Sequence, residues 1–511
     1  MLNATDPNQG NSKPSNLDNL KLFLSRFSLK KIVGIGFILV LLVVIGIGVM
    51  IFLKNKSNSL PSSEQLFLSP LSNPLQGNKT NSLNSGLVFG AGVMIQQGKQ
   101  LCQLVQEYGS KFSWLTLSWA RIQPANKNQW VWKQFDNWVD AYRSCGQEVA
   151  IHIHSDAQWA IQPVPPENKK GPHTASMPAK NMQDYYNFIY KVAKHYKGKI
   201  TRYSIENEAH AEQNWGGTPE EYIAELQTAY KAIKAADPQA IVEDAAMSHE
   251  GLGYLTAIWL YQKGQVQPAV DFANSYVTHY YRGLTQPPVI DAKTIADWLT
   301  KPGIQKTIKW ENLLFQNQKY YDRMQIHNGA PWQNLQTVLD YLHTNLKAQG
   351  DDKNLELWEA WYSWTGAPGN GFDPNIQAND LVKQMVIAFG GKAVLYNYWT
   401  FTDFALGEGH VGLLDKEGNP RPAATSFKIT SEKLTGSTSV QKLNLGDNLY
   451  AYKFTKNSRD IYVVWSLAKT KVSLPLKGTL TITDVLGKTT KVDADDFFVD
   501  TSPVFIELYK R

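Results

Sequence analysis

The segment from Leu87 to Thr435 constrains the fold most strongly, because short apolar runs alternate there with longer amphipathic stretches. The runs have the length and composition of buried strands, and the stretches have the periodicity of helices. The predicted strands are Leu87–Val93, Phe112–Ser118, Glu148–His154, Ile200–Ile205, Ala240–Ala246, Phe272–Tyr280, Leu355–Glu359 and Ala393–Trp399. Eight strands separated by helices predict a (β/α)₈ TIM barrel over residues 86–436. An open doubly wound sheet would carry a glycine-rich phosphate loop after its first strand, and the sequence has none there.

The spacing between the sixth and seventh predicted strands is longer than one helix requires. We therefore interpret residues 283–330, with Trp298 and Trp310, as an insertion. A loop that follows a barrel strand lies on the face where active sites form, so this insertion is expected to wall a substrate cleft.

After Gly436 the pattern changes to short runs of alternating polarity, divided by turn residues. The predicted strands here are Leu449–Phe454, Ile461–Trp465, Val472–Leu476, Leu480–Val485 and Val504–Leu508. Such a pattern predicts a C-terminal antiparallel β-sandwich over residues 437–511.

The N-terminal region has a different character. From Ile32 to Leu53, 22 residues run without a charge, and as a helix they span roughly 33 Å, enough to cross a bilayer. We predict a disordered tail over 1–31, a transmembrane helix over 32–53 and a linker over 54–85. Lys and Arg residues are more numerous before the span than close behind it, which predicts a cytoplasmic N-terminus and an extracellular C-terminal part.

Composition excludes some partners. The 51 Lys and Arg residues exceed the 45 acidic ones only slightly, and no run of basic residues is longer than two. A nucleic-acid surface would be clustered, so none is expected. Aromatic residues make up 12% of the chain, which suits the faces of sugar rings but also a large core. The two cysteines, Cys102 and Cys145, are predicted to be buried free thiols, with a disulfide as the alternative.

The reactive groups of a barrel enzyme lie at the carboxyl ends of its strands. Strand four ends in Glu206, Asn207 and Glu208, and strand seven ends in Glu359. Carboxylates on these two strands would face each other across the barrel mouth. That arrangement suits cleavage of a glycosidic bond, in which one carboxyl donates a proton and the other attacks or activates water. From the residues alone, either glutamate of strand four could face the site.

Other candidates at the strand ends admit two interpretations. His152 and His154 lie on one face of strand three, but no third ligand accompanies them, so no metal and no cofactor are predicted. The indoles of Trp159, Trp361 and Trp399 follow strand ends and could either wall a cleft or fill the core.

Ordered motifs carry a resemblance to a known group of enzymes. The stretches 203–210, 214–222 and 235–238, which include the Asn207–Glu208 pair, resemble the fourth strand and helix of clan A glycoside hydrolases, most closely family 39 and its relatives. Leu355–Trp361 resembles the seventh-strand motif, and Trp399 the eighth-strand tryptophan. His279-Tyr280-Tyr281 resembles the His-x-Tyr of the sixth strand.

The resemblance implies a role for each matched residue. Glu208 would be the general acid/base and Glu359 the nucleophile. The further substrate-site residues implied or suggested are Asn207, Tyr281, Trp399, His279, His154, Trp159 and Trp361. Asn207 would contact a substrate 2-hydroxyl, and Tyr281 would contact the nucleophile.

The chain departs from the pattern of the clan at three positions. Thr116 stands where an arginine is common, Glu206 where an aromatic residue is common, and Ala209 where a proline usually follows the Asn-Glu pair. Both catalytic carboxylates are nevertheless present.

The sequence therefore predicts a membrane-anchored retaining glycoside hydrolase that acts on the O-glycosidic bonds of an oligosaccharide or polysaccharide. Two other functions remain open: a non-catalytic barrel that binds glycans, and a transglycosylase that uses the same carboxylates on envelope glycan.

Overall fold

The computed structural model describes residues 80–82, 86–92, 100–163, 176–280, 289–329, 331–361, 372–403 and 412–508. The predicted tail, the predicted transmembrane segment 32–53 and nearly all of the predicted linker lie outside these residues. Within the described ranges, no helix combines the length and the apolar character that a membrane crossing needs.

A barrel of parallel strands forms the larger part of the described structure. Its strands are β1 (Val88–Ala91), β2 (Phe112–Ser118), β3 (Glu148–His154), β4 (Ile200–Ile205), β5 (Ile241–Glu243), β6 (Met324–Asn328), β7 (Leu355–Ala360) and β8 (Ala393–Tyr398). Strands β2 to β5 pair in sequence, and β1 pairs with β8, β8 with β7 and β7 with β6. Bridges close the two seams: the Lys111 amide donates to the Phe89 carbonyl at 2.8 Å, and Glu243 pairs with Arg323. The predicted (β/α)₈ architecture is confirmed.

Helices surround this barrel. They are α1 (Gln100–Glu107), α2 (Lys133–Ser144), α3 (Met182–His195), α4 (Pro219–Ala236), α5 (His249–Gln262), α6 (Val266–Tyr280), α7 (Ala292–Trp298), α8 (Pro302–Gln316), α9 (Trp332–Ala348), α10 (Pro374–Gly390) and α11 (Pro422–Leu434). Helix α4 shows why they begin where they do: Thr218 and Glu221 form a reciprocal capping box, and Pro219 occupies the first turn. The Thr218 and Glu221 side chains satisfy backbone donors that would otherwise lack partners, and the proline has no N–H that needs one.

The predicted sixth strand is wrong. Phe272–Tyr280 belongs to helix α6, and its buried residues Phe272, Ala273 and Tyr276 recur at helical spacing. The sixth strand is Met324–Asn328, inside the segment interpreted as an insertion. It escaped prediction because polar side chains, Gln325 and His327 among them, are fully buried there and interrupt the apolar run.

The segment that was expected to wall a cleft contains Trp298 and Trp310, and neither indole is exposed. Both indoles are buried between helices, where Trp298 packs against Tyr254 of α5 and Trp310 against Tyr222 of α4. Most of the described part of segment 283–330 is thus outer-layer helix and barrel strand.

A network of buried charges connects the strands near their amino ends. The Arg202 guanidinium of β4 donates to Glu356 of β7 at 3.0 Å, and it also pairs with Glu148 of β3. Arg323, directly before β6, pairs with the other oxygen of Glu356. Burial would raise the pKa of Glu356, but the two guanidinium groups lower it to about 2. Since Glu356 is fully buried, its charge depends on both arginines.

The C-terminal part contains one large antiparallel sheet. Its strands are β9 (Ser439–Leu443), β10 (Leu449–Lys456), β11 (Arg459–Ser466), β12 (Thr479–Asp484), β13 (Thr489–Asp493) and β14 (Val504–Leu508). The order is β9-β10-β11-β14-β12-β13, and the short strand Thr80–Ser82 pairs with β9 at the edge. The strand Thr80–Ser82 comes from the segment predicted to be a linker.

The prediction of an antiparallel sheet is confirmed, but the prediction of a sandwich is wrong. Instead of a second large sheet, a two-stranded ribbon of Thr470–Lys471 and Phe498–Val499 accompanies the first. The predicted strand Val472–Leu476 is absent, and Val472 and Leu474 are instead buried in the hydrophobic cluster of the sheet.

The sheet packs against the barrel through aromatic rings. Tyr450 and Trp465 are stacked at 5.1 Å, and both meet the edge of Trp332 at the start of α9. Gly390 at the end of α10 allows the ring of Tyr452 to approach, because a Cβ atom there would lie 2.3 Å from it. These contacts bury rings from both parts in one interface.

The prediction of two free thiols is wrong as well. Cys102 of α1 and Cys145, directly after α2, form a disulfide with their Cα atoms 4.7 Å apart. Helices α1 and α2 precede the adjacent strands β2 and β3, so they pack side by side and bring the two cysteines together.

We expect loss of this disulfide to destabilise the barrel. It closes a loop with a sequence separation of 43 residues, for which the loss is about 2–4 kcal/mol of unfolding free energy. The double variant Cys102→Ser/Cys145→Ser should melt at a lower temperature than the oxidised wild type. Dithiothreitol should lower the wild-type melting temperature to that of the variant and leave the variant unchanged. A reductant-insensitive wild type would contradict the bridge.

Candidate active site

The end of strand β4 turns sharply. Glu206 and Glu208 both have left-handed backbones, with φ of 64° and 45°, a conformation that costs residues other than glycine about 1 kcal/mol or more. Backbone hydrogen bonds hold the turn: the Glu206 amide donates to the Ile153 carbonyl and the Glu208 amide to the Ala245 carbonyl. The turn places the Glu208 carboxyl in the barrel mouth, whereas the Glu206 carboxyl is buried behind it.

Glu208 and Glu359 meet at a shared histidine. His327 Nδ1 of β6 lies 2.8 Å from Glu208 Oε1 and 3.8 Å from Glu359 Oε2. The separation of those two carboxylate oxygens cannot exceed the sum of these distances, about 6.6 Å. The side chain of Glu208 is 21% exposed and that of Glu359 15%, so both border solvent, while His327 is fully enclosed.

The three groups change each other's protonation. Burial would raise the pKa of Glu208, but the hydrogen bond and charge of His327 hold it below its ordinary value. Burial raises the pKa of Glu359, and the charge of Glu208 adds to the effect. Burial opposes protonation of His327, but the two carboxylates prevail and raise its pKa. The site thus favours the charged forms of His327 and Glu208 and disfavours the charged form of Glu359.

His327 takes the place that was predicted for the His-x-Tyr motif. His279 lies within helix α6 and not at a strand end, so the prediction for the sixth strand fails there, and Tyr281 lies outside the described residues. Two residues after His327 stands Gly329, where a Cβ atom would lie 2.5 Å from the indole of Trp361. The glycine leaves room for Trp361 at the mouth. The alternation of the apolar Met324 and Ile326 with the polar Gln325 and His327 was the available signal for β6.

Trp399 directly follows β8, and its amide donates to the Ala360 carbonyl at the end of the neighbouring strand β7 at 2.8 Å. Its ring stacks on Trp114 of β2 with centroids 5.0 Å apart and planes 17° apart. Gly92 lies against the same indole, since a Cβ atom there would be 2.5 Å from it. Sequence reasoning missed Trp114, which lies two residues before Thr116 on the same face of β2.

His152 and His154 line the β3 side as neutral rings. His152 is fully buried, with the edges of Trp114 and Trp358 against it and its Nδ1 at 3.3 Å from the Glu206 carbonyl. Burial lowers the pKa of His152 and of His154. Among the residues that the structure describes, no group of three or more His, Cys, Asp or Glu side chains is placed to hold a metal ion.

The other predicted residues take different positions. Trp159 is half-buried and donates from Nε1 to the Gln123 carbonyl at 2.8 Å. Asn207 is half-buried between the two glutamates of the β4 turn. Trp361 packs at 4.8 Å against His249, the first residue of α5. Trp215, the other indole near β4, is fully buried and belongs to the core.

A second pair of polar residues lies on the Glu208 side and was not predicted. His210 Nε2 is 3.0 Å from the hydroxyl of Ser248, and burial lowers the pKa of His210 to about 4. A neutral imidazole therefore follows Glu208 along the chain.

Comparison with known proteins agrees with this architecture. Residues 74–285 match the model of the cellulase family, glycosyl hydrolase family 5. A family 39 glycoside hydrolase from the gut symbiont Bacteroides cellulosilyticus WH2 has a similar structure, with a TM-score of 0.55, 14% identity, and coverage of 83% of this chain and 81% of that chain.

Two further solved structures are similar. A glucosidase from Croceicoccus marinus gives a TM-score of 0.51 with 12% identity over 84% of this chain and 96% of that chain. A family 30 endoxylanase from Clostridium papyrosolvens C71 gives 0.50 with 12% identity over 84% and 99%. No curated protein sequence matches the chain.

These matches confirm the predicted resemblance to clan A glycoside hydrolases. The structural similarities, at 14% identity or less, establish the fold. The sequence match to a glycosyl hydrolase family confirms the predicted enzyme class, a glycosidase.

We expect His327→Ala to move the whole pH profile of kcat/KM to higher pH. Without the imidazolium, the negative forms of Glu359 and Glu208 lose their favourable charge partner, so both pKa values rise. The shift should be about one pH unit on each limb, with a loss of about 10²-fold in kcat/KM at the optimum.

The matched control is His195→Ala, which removes a surface histidine paired with Asp136. The control should leave the profile in place. If both limbs of the His327→Ala profile stayed at their wild-type pH values, the imidazole would not be the group that sets these pKa values.

Proposed function

We propose that the protein is a retaining glycoside hydrolase in which Glu208 is the general acid/base and Glu359 the nucleophile. The observation that carries the proposal is the placement of both carboxylates beside His327 Nδ1, on the ends of β4 and β7. Retaining enzymes hold their carboxyl groups about 5–5.5 Å apart, whereas inverting enzymes leave about 6.5–9.5 Å for a water molecule. The upper limit of about 6.6 Å between Glu208 Oε1 and Glu359 Oε2 is compatible with the separation in retaining enzymes.

In the first step, a Glu359 oxygen attacks the anomeric carbon as the bond to the leaving oxygen breaks. The electron pair of that bond passes to the leaving oxygen, which takes a proton from Glu208. A glycosyl ester on Glu359 results. In the second step Glu208 accepts a proton from water, the water oxygen attacks the anomeric carbon, and the Glu359 carboxylate leaves.

This cycle requires a proton on Glu208 and a charge on Glu359, whereas the surroundings lower the pKa of Glu208 and raise that of Glu359. We attribute the exchange to His327, because its Nδ1 lies only 1.0 Å farther from Glu359 than from Glu208 (3.8 against 2.8 Å). When the leaving oxygen of a substrate becomes the partner of Glu208, the imidazole can turn to Glu359. The negative form of the nucleophile is then the one that gains a hydrogen bond.

The aromatic and polar groups around the mouth would bind the sugar. Trp399, supported from behind by Trp114, would form a platform for one face of the ring. Asn207 and His154 would contact hydroxyl groups, and Trp159 and Trp361 would border the cleft. Tyr281 stays a prediction of the resemblance, since it lies outside the described residues.

We expect Glu359→Ala to abolish turnover of aryl glycosides, with a loss of about 10³-fold or more. Azide should restore reaction by attacking the vacant anomeric face and yield a glycosyl azide of inverted configuration. Glu208→Ala should retain turnover of substrates with good leaving groups and lose turnover of substrates with poor ones, because only poor leaving groups need the proton. Anomer-resolved NMR of wild-type product should show retention.

Glu212→Ala is the matched control, since Glu212 follows the same strand but is 80% exposed. It should behave as wild type. Sugar binding without turnover by the wild type, over a panel of aryl glycosides and soluble polysaccharides, would contradict the proposal and favour the glycan-binding alternative. Products transferred to an added acceptor sugar in preference to water would favour the transglycosylase.

We also infer that residues 32–53 anchor the enzyme in a membrane, with the N-terminus in the cytoplasm and the barrel outside. The support is the uncharged run of 22 residues and the excess of basic residues before it.

The full chain should remain in the membrane fraction after a carbonate wash, and deletion of residues 32–53 should release it. Protease added to intact cells should digest the barrel and leave a short N-terminal fragment. A full chain that the carbonate wash extracts, or a barrel that external protease cannot reach, would contradict the anchor or its orientation.

A further inference from the structure

Behind the catalytic turn of β4 lies a second pair of carboxyl groups, Glu206 and Glu225, which the proposed reaction does not use. Glu206 is 1% exposed and Glu225 of α4 is fully buried. Ser155, directly after β3, connects them. Its backbone amide donates to Glu206 Oε1 at 2.7 Å, and its hydroxyl donates to Glu225 Oε2 at 2.8 Å.

This pair ties together elements that meet at the barrel mouth. The second oxygen of Glu225 accepts a hydrogen bond from the Ala179 amide at 2.7 Å. Two residues earlier, the Met177 amide donates to the Ser155 carbonyl at 3.0 Å. The carboxyls therefore join helix α4, the end of β3, the end of β4 and the segment that leads into α3.

The backbone of Glu206 is held from several sides at once. Its amide donates to the Ile153 carbonyl at 3.0 Å, and its own carbonyl faces His152 Nδ1 at 3.3 Å and the Ser204 hydroxyl at 3.2 Å. Its φ of 64° is a strained conformation that such bonds must maintain. Asn207 and Glu208 follow directly, so their placement depends on this residue.

The surroundings of the pair offer no positive charge among the groups that most affect it. Glu206 faces Glu225 and the hydroxyls of Ser155 and Ser176. Glu225 faces the hydroxyls of Ser155 and Tyr185, together with the more distant Glu221. Glu206 also lies near Tyr185 and Tyr222, and burial keeps both phenols protonated by raising their pKa. His152 is neutral because burial lowers its pKa.

Burial is the main cause that raises the pKa of both carboxyls. It raises the pKa of Glu206 well above the ordinary value, with repulsion from Glu225 as the next cause, and it raises the pKa of Glu225 to about 8. The native state therefore keeps protons that an unfolded chain would release at neutral pH. The stability that belongs to the protonated pair is complete at acidic pH and is lost as pH rises through about 8.

We propose that Glu206 and Glu225, in their protonated form, are positioning residues that hold the β4 turn and so place Asn207 and Glu208 for catalysis. Loss of these protons puts negative charge into an enclosed space where none of the described groups that most affect the pair is positive, and it loosens the turn. The position is one where the chain departs from the pattern of the clan, since Glu206 replaces an aromatic residue. The catalytic readout of this proposal rests on the proposed function, but its stability readout does not.

The test uses the full chain with Glu206→Gln and Glu225→Gln, whose amides keep the carbonyl acceptor and cannot ionise. The matched control is Glu220→Gln on the same helix, where the side chain is 53% exposed and paired with Lys309. Melting temperatures are measured from pH 5 to pH 9. Relative to wild type, each buried variant should gain about 3 °C or more between pH 5 and pH 9, while the control should change in parallel with wild type.

The second arm measures kcat/KM over the same range. Between pH 7 and pH 9 the wild type should lose about tenfold more activity than either buried glutamine variant. Glu206→Leu, which removes the acceptor for the Ser155 amide, should lower kcat about tenfold with little change in KM, and Glu206→Gln should rescue it. The proposal would be overturned if the melting temperatures of the wild type and of both variants changed with pH in parallel and their activity profiles were also parallel.

The two arms separate the two proposals. If no glycoside is cleaved at any pH, the proposed function fails, and the melting curves alone decide whether the pair holds protons. If activity is present but the melting difference does not grow with pH, the pair is not protonated as proposed and only the positioning inference falls.

Discussion

The buried charge network of Arg202, Glu356 and Arg323 is the constraint on which the active site depends. Arg202 lies on the strand that ends at Glu208, Glu356 on the strand of Glu359, and Arg323 directly before the strand of His327. Removing both arginines would leave Glu356 as an uncompensated charge in a dry interior, which costs several kcal/mol. The network lies near the amino ends of three strands whose carboxyl ends carry Glu208, Glu359 and His327. It therefore fixes the relative heights of these strands.

With those heights fixed, the chemistry is set by electrostatics within a few ångströms. One imidazole serves two carboxylates, so the protonation of each depends on which of them it contacts. Burial penalises charge on Glu359, and His327 is the cation that most offsets this penalty.

The sequence allowed much of the barrel to be predicted. Each of the two elements that it failed to predict has a physical cause. The predicted bounds of β2, β3 and β4 coincide with those observed, because apolar, aromatic and β-branched residues predominate in each of them. Strand β6 was missed because it carries two buried polar residues, Gln325 and His327, whose side chains lie 3.4 Å apart, and because His327 pairs with Glu208, which is distant in sequence. Helix α6 was mistaken for a strand because a short apolar run fits both periodicities. The carboxylate positions on β4 and β7 could thus be predicted, whereas the histidine between them could not.

The edge strand Thr80–Ser82 has a mechanical consequence. It pairs with β9 through Thr80, Asn81 and Ser82, and it precedes the first barrel strand in the chain. A pull on the polypeptide ahead of residue 80 would reach this three-residue ladder before it reached β1. The C-terminal sheet would then bear the tension at its edge. The geometry of the barrel strands that bear Glu208 and Glu359 would stay undisturbed.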